Sequence, residues 1–204
     1  MRSIELTFDP ATEAAFRDEW AALQEAGLPN LGRHPDASNR PHLTLAAGPA
    51  LELTEALRAV FAASGSDGAP RDGAPRDSAA QGGAARAGDS QQSVAPLPVA
   101  LPVTLSVSGL VLFRAGADRF VLARPVLMTR ALLELHRRVL DRAPGASELT
   151  QPDRWTPHIT LARRLNAEQV AAALGVLGDP PPPGSCVAAR FWNGETKTLT
   201  TLAG

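Results

Sequence analysis

Alternating and helical patterns of apolar residues divide the first part of the chain into four elements. Residues 3–8 alternate polar and apolar side chains, as in a half-buried strand. Asp9 and Pro10 then suit the N-cap and first residue of a helix. Residues 42–48 are typical of a second strand, and 51–63 predict a second helix with one apolar face. The order is therefore strand, helix, strand, helix.

The second part of the chain repeats that order, with one hairpin added after its first strand and another at its end. Its predicted elements are a strand at 101–107, a hairpin at 110–125, a helix capped by Thr129, a strand beginning at His158, a helix at 167–177 capped by Asn166, and a hairpin at 187–202. The repetition predicts an α+β fold built from two duplicated lobes in a single domain of 204 residues, formed by segments 1–63 and 97–204.

Between these segments, residues 64–96 have a different composition. They contain GAPRD twice in tandem, no aromatic residue, and no aliphatic side chain larger than alanine before Val94. Such a stretch buries too little apolar surface to offset the entropy of ordering it. We therefore predict a disordered linker or expanded loop.

Composition narrows the range of partners. The net charge of −1 excludes the broad basic surface of proteins that bind long nucleic acids, so an RNA partner would be recognised as an end or a small piece. The single cysteine, Cys186, cannot form an internal disulfide, and no cysteine cluster predicts zinc. We expect no secretory signal, because MRSIELTFDP is too short and too polar for one, and no apolar run in the sequence approaches bilayer length. We expect a monomeric cytoplasmic protein with no cofactor and no membrane association.

One hexamer, Pro-His-x-Thr-Leu-Ala, occurs twice, at Pro41–Ala46 and Pro157–Ala162. In a strand, residues i and i+2 face the same side, so His42 and Thr44 share one face, with aliphatic side chains behind them. His158 and Thr160 repeat the arrangement. Either pair alone is more often a satisfied polar pair in a sheet, but two copies in equivalent contexts favour a shared site.

Two imidazoles converging on one cleft suit the chemistry of a phosphodiester or cyclic phosphate. A neutral histidine can remove a proton from the attacking oxygen, and a protonated one can give a proton to the leaving oxygen. Thr44 and Thr160 can donate hydrogen bonds to the non-bridging oxygens. The sequence leaves open which of His42 and His158 is the acid. No carboxylate cluster is present to hold magnesium, so we expect no metal.

The doubled motif resembles that of the two-histidine (2H) phosphoesterases, in particular the 2′-5′ RNA ligase-like group that includes RNA 2′,3′-cyclic phosphodiesterases. The resemblance implies a bilobal fold in which antiparallel sheets line a central cleft and helices lie outside. It implies metal-independent hydrolysis of a 2′,3′-cyclic phosphate to a 2′-phosphate, or 2′-5′ ligase-type chemistry, on RNA ends or small nucleotides. His42 and His158 become the acid–base pair, Thr44 and Thr160 the phosphate-binding hydroxyls, and Arg163 a further phosphate contact.

The remaining aromatic and histidine residues carry separate expectations. The first motif continues into Ala47, where the family often has an aromatic residue, and the chain has no tyrosine. We expect Trp155 to offer a stacking surface for a base. The other predictions are core packing for Trp20, Trp192 and His136, and solvent exposure for His34.

Two alternatives to an enzyme remain open. A non-catalytic module of the same fold could hold a nucleotide or RNA end, as the few aromatic residues and near-neutral charge suggest. A metal site built on two histidines would need a third ligand, and no Asp, Glu or His stands at a convincing spacing from either motif.

Overall fold

The computed structural model of the chain describes residues 1–33, 38–62 and 101–204. The predicted linker at 64–96 and the predicted solvent exposure of His34 lie outside the described residues and stay predictions.

Eight strands and four α-helices occur in the described part of the chain, so the predicted α+β class is confirmed. The strands are β1 (Arg2–Phe8), β2 (Leu43–Gly48), β3 (Val103–Leu105), β4 (Val111–Arg114), β5 (Phe120–Pro125), β6 (His158–Leu165), β7 (Gly184–Asn193) and β8 (Thr198–Ala203). The helices are α1 (Pro10–Glu25), α2 (Glu55–Ala62), α3 (Arg130–Leu140) and α4 (Ala167–Val176).

Side-chain caps fix the start of the helices where the sequence predicts them. Asp9 accepts a hydrogen bond from the Thr12 amide at α1, and Thr129 accepts one from the Leu132 amide at α3. Asn166 begins α4 with a reciprocal capping box. The second helix was predicted to start at residue 51, which is wrong. It begins at Glu55, because the Thr54 hydroxyl accepts the amide hydrogen of Leu57 and so caps the helix there.

The strands form two antiparallel sheets. The larger has the order β2-β1-β7-β3, with β8 also paired to β7, and the smaller has the order β4-β5-β6. The C-terminal hairpin β7–β8 therefore joins the sheet begun by the N-terminal strands, and the division between the sheets does not follow the division between the two predicted segments. As a result, each His-x-Thr strand lies at the end of a different sheet, β2 in the larger and β6 in the smaller.

Apolar side chains from both sheets and from the four described helices meet in one core. Burial of apolar surface in this core is the main favourable contribution to folding. His136 on α3 lies in this core, where it is 1% exposed, and its predicted packing role is confirmed.

Candidate functional site

Both His-x-Thr motifs have the alternation that their sequences predict. Leu43 and Leu45 are fully buried, whereas Thr44 between them is only half-buried. In β6, Ile159 and Leu161 are likewise fully buried and Thr160 is half-buried. The aliphatic residues thus anchor each strand in the core and leave the threonines on the opposite face.

A β-bulge follows the threonine in both motifs. In β2 the pairing with β1 shifts between Thr44 and Ala46, and in β6 the pairing with β5 shifts between Thr160 and Ala162. Two consecutive residues of each strand are buried at this point, so the third residue after each threonine returns to the threonine's face. That residue is Ala47 in the first motif and Arg163 in the second. Strict alternation along β6 would put Arg163 on the opposite face from His158, so it is the bulge that brings Arg163 to the histidine's face.

The two histidine rings are oriented in the same way. His42 Nδ1 lies 2.8 Å from the carbonyl oxygen of Arg40, and His158 Nδ1 lies 2.7 Å from that of Thr156. Because a carbonyl can only accept a hydrogen bond, Nδ1 carries the proton in both rings. Nε2 of each neutral ring is then the atom with a free lone pair, and it is the atom that can take up a proton.

Two tryptophans link the motif strands to the rest of the fold. Trp155, which precedes the second motif, donates its indole N–H to the carbonyl of Thr44 in the first motif at 3.0 Å. Trp20 on α1 donates to the carbonyl of Thr160 in the second motif at 3.3 Å. Each threonine backbone therefore receives an indole hydrogen bond from a distant part of the chain.

The prediction that Trp155 offers a stacking surface for a base is wrong. Its side chain is 7% exposed and stacks on His136, with ring centroids 3.7 Å apart and planes 8° from parallel. His136 Nε2 is in turn 2.9 Å from the carbonyl of Thr150. Trp20 is 3% exposed, so its predicted core position is confirmed.

A cavity of about 400 Å³ opens beside the first motif. It brings together three of the residues predicted from sequence, His42, Thr44 and Arg163. The predicted core position of Trp192 is wrong, because its side chain is half-buried and lines this cavity. The other lining residues are Met1, Ser3, Glu5, Leu31, Ser38, Asn39, Arg40, Ala47 and Arg190.

His158 and Thr160 are not among the residues that line the cavity. The charges of two cavity residues, Arg163 and His42, nevertheless act on His158. Burial lowers the pKa of His158, and the positive charges of Arg163 and His42 lower it further against the raising effect of the Thr156 carbonyl. Phe113 packs against the ring with centroids 4.6 Å apart. These surroundings favour the neutral form of His158.

A buried carboxylate, Glu5, lies next to His42. One carboxylate oxygen accepts a hydrogen bond from the Ser3 hydroxyl at 2.6 Å and is 3.7 Å from His42 Nε2. The other accepts a hydrogen bond from Arg190 Nε at 2.8 Å. The Glu5 side chain is only 6% exposed. When His42 is protonated, Glu5 therefore has a cation on each side.

Sequence reasoning missed Glu5, Arg190 and the cavity position of Trp192. The signal for Glu5 was its place on the polar face of β1, between Ser3 and Thr7, all three of which are buried. A polar strand face that is buried has to meet polar partners, but no pattern within β1 names those partners.

The three arginines of the cavity have different partners. Arg40 is paired with Glu13, and Arg190 with Glu5. Among residues 1–33, 38–62 and 101–204, none forms a hydrogen bond or ion pair with Arg163. Arg163 is the exposed cation of the group and has its donors available for an anion.

Two features are absent from residues 1–33, 38–62 and 101–204. No group of three or more His, Cys, Asp or Glu side chains is arranged to hold a metal ion. Of the helices in those ranges, none is both long and apolar enough to span a bilayer.

A sequence model of the 2′-5′ RNA ligase superfamily matches residues 77–196, more than half of the chain. The match contains the second motif, whereas the first motif lies outside it. No curated protein matches the chain significantly. The chain belongs to the 2′-5′ RNA ligase superfamily, which is part of the 2H phosphoesterase superfamily.

Proposed function

We propose that the protein is a metal-independent phosphoesterase that hydrolyses a 2′,3′-cyclic phosphate to a 2′-phosphate. One observation carries the proposal. Two histidines in equivalent motifs hold the same tautomer through the carbonyl two residues earlier, so each directs an Nε2 atom away from its own backbone. Superfamily membership supports a phosphoesterase or ligase-type reaction.

His158 is the general base in this proposal. Its lowered pKa keeps Nε2 unprotonated near neutral pH, and an unprotonated Nε2 can accept a proton from water. The water oxygen attacks phosphorus as His158 takes that proton.

His42 is the general acid. One Glu5 carboxylate oxygen lies 3.7 Å from Nε2, so a proton carried by that atom faces a negative charge. As the bond between phosphorus and O3′ breaks, His42 gives its Nε2 proton to O3′. The products are a 2′-phosphate and a free 3′-hydroxyl, and solvent then returns the proton from His158 to His42. Attack by a 5′-hydroxyl instead of water would form a 2′-5′ linkage with the same groups.

Negative charge accumulates on the non-bridging oxygens during attack. The Thr44 and Thr160 hydroxyls lie on the faces that carry the histidines, and Arg163 returns to that face after the bulge. Donors fixed by a sheet stabilise such charge with little reorganisation, which is the usual source of a large rate effect.

The test is hydrolysis of 2′,3′-cyclic nucleotides in EDTA by the parent, His42→Ala and His158→Ala. Each variant should lose roughly 10²–10⁴-fold in kcat. Thr44→Val and Thr44→Ser are a matched pair, since only serine keeps the hydroxyl, and serine should retain most activity. Full activity in both histidine variants would refute the proposal. Tight nucleotide binding by the parent without turnover would instead favour a binding module.

A further inference from the structure

Three cavity residues form a row across three neighbouring strands. Ser3 on β1 is directly opposite Ala47 on β2, and on its other side it is directly opposite Trp192 on β7. Directly opposite residues of antiparallel strands share a face. All three residues line the cavity. We call this row, Ala47–Ser3–Trp192, the tryptophan shelf.

Trp192 differs from the other two tryptophans of the chain. The indole N–H groups of Trp20 and Trp155 are both used in hydrogen bonds to backbone carbonyls, and both side chains are buried. Trp192 is half-buried, and among the described residues none accepts a hydrogen bond from its indole N–H. Its ring surface and its donor are therefore available to a bound molecule.

The neighbours of Trp192 in the row are small. Ala47 and Ser3 leave room over the sheet where a larger side chain would fill the cavity. Ser3 already donates its hydroxyl hydrogen to Glu5, so the shelf presents an aromatic surface with little competing polarity. Such a surface suits a flat heteroaromatic ring better than a sugar or a phosphate.

The shelf lies one step along the sheet from a row that contains Thr44 of the first motif. Thr44, Glu5 and Arg190 form the adjacent row across the same three strands, and the β-bulge in β2 separates Thr44 from Ala47 by three residues instead of two. Glu5 is two residues from Ser3, so the rows are ~7 Å apart at 3.2–3.4 Å per residue. A ribose joins a 2′,3′-phosphate to its base over a span of that order.

We propose that Trp192 stacks the nucleobase of the substrate, so that the enzyme acts on cyclic phosphates of nucleosides in preference to cyclic phosphates without a base. This inference rests on the proposed function, because it takes the phosphate to bind between the two motifs. The indole N–H adds a donor for an acceptor on the base edge.

The kinetic test compares two substrates, adenosine 2′,3′-cyclic phosphate and 1-O-methylribose 2,3-cyclic phosphate, which lacks the base. Removing base–aromatic stacking should reduce kcat/KM for the adenosine substrate by roughly 5- to 150-fold in Trp192→Leu. The base-free substrate should be hydrolysed equally by parent and variant. Trp192→Phe keeps a ring and should lie near the parent for both substrates.

Ala47→Leu tests the shelf without changing Trp192, and so covers the case in which Trp192→Leu does not fold. The added side chain should obstruct the base and reduce kcat/KM only for the adenosine substrate. Equal losses on both substrates, or no loss in either variant, would overturn the inference.

A binding measurement separates failure of this inference from failure of the proposed function. Adenosine 2′-monophosphate is titrated against the parent and Trp192→Leu by calorimetry. If the parent hydrolyses neither substrate, the proposed function fails. Even then, weaker binding of adenosine 2′-monophosphate to Trp192→Leu than to the parent would support the shelf. Equal binding to the two proteins would refute the shelf even in an active enzyme.

Discussion

The hydrogen bond from Trp155 to Thr44 joins the two motifs, and Trp155→Phe would test its importance. The substitution removes the indole N–H, which is 3.0 Å from the Thr44 carbonyl, and keeps an aromatic ring against His136. We expect lower stability and lower activity, because Thr44 belongs to the strand that positions His42.

The magnitude follows from two losses. A buried acceptor left without its donor costs ~1–3 kcal/mol in free energy of unfolding. Phenylalanine has fewer ring atoms to pack in a site where the tryptophan is 7% exposed, and at ~0.8 kcal/mol per buried methylene this costs roughly 1–2 kcal/mol more. The total is about 2–5 kcal/mol. For a chain of 204 residues, this lowers the unfolding temperature by roughly 5–15 °C.

The assay is thermal and urea unfolding together with kcat/KM on a cyclic nucleotide. Trp20→Phe is the matched control, because it deletes the same atoms from a tryptophan that donates over a longer distance, 3.3 Å, to Thr160. We expect Trp155→Phe to be the less stable variant. If the two variants are equally stable and Trp155→Phe keeps the parent's kcat/KM, the bond between the motifs has no role in positioning the site.

Three other predictions test the electrostatics. Burial lowers the pKa of His136. Below about pH 6.5 the unfolded chain therefore binds a proton that the folded protein does not. The free energy of unfolding should fall from pH 7.5 to 5.5, and it should fall less steeply in His136→Phe. Arg163→Gln should raise the pKa of His158 and so move the acidic limb of the pH profile of kcat/KM to higher pH. Arg163→Lys keeps the positive charge and should leave that limb in place. An unmoved limb in Arg163→Gln would exclude electrostatic coupling between Arg163 and His158. Glu5→Gln should cost about 3 kcal/mol in urea unfolding by leaving Arg190 without its buried partner, and Ser3→Ala, which leaves that ion pair, should cost less; equal losses would contradict this assignment.

The sequence alone determined most of the helices and strands and the orientation of side chains within the two motifs. Helix starts at Asp9, Thr129 and Asn166 were predictable because a cap acts on amides only two or three residues away. The alternation of His-x-Thr-Leu fixed which side chains are buried, because a strand has a period of two. These rules need no knowledge of neighbouring strands.

The composition of the cavity was decided by tertiary structure. Strand β7 brings Arg190 and Trp192 beside β1 from more than 180 residues away in sequence, and no local pattern encodes that register. The bulges that turn Ala47 and Arg163 toward the threonines are properties of strand pairs, because each needs two residues on one strand to face one on its partner. Trp155 shows the same limit, since whether an indole stacks on a ligand or on His136 depends on which helix packs beside it.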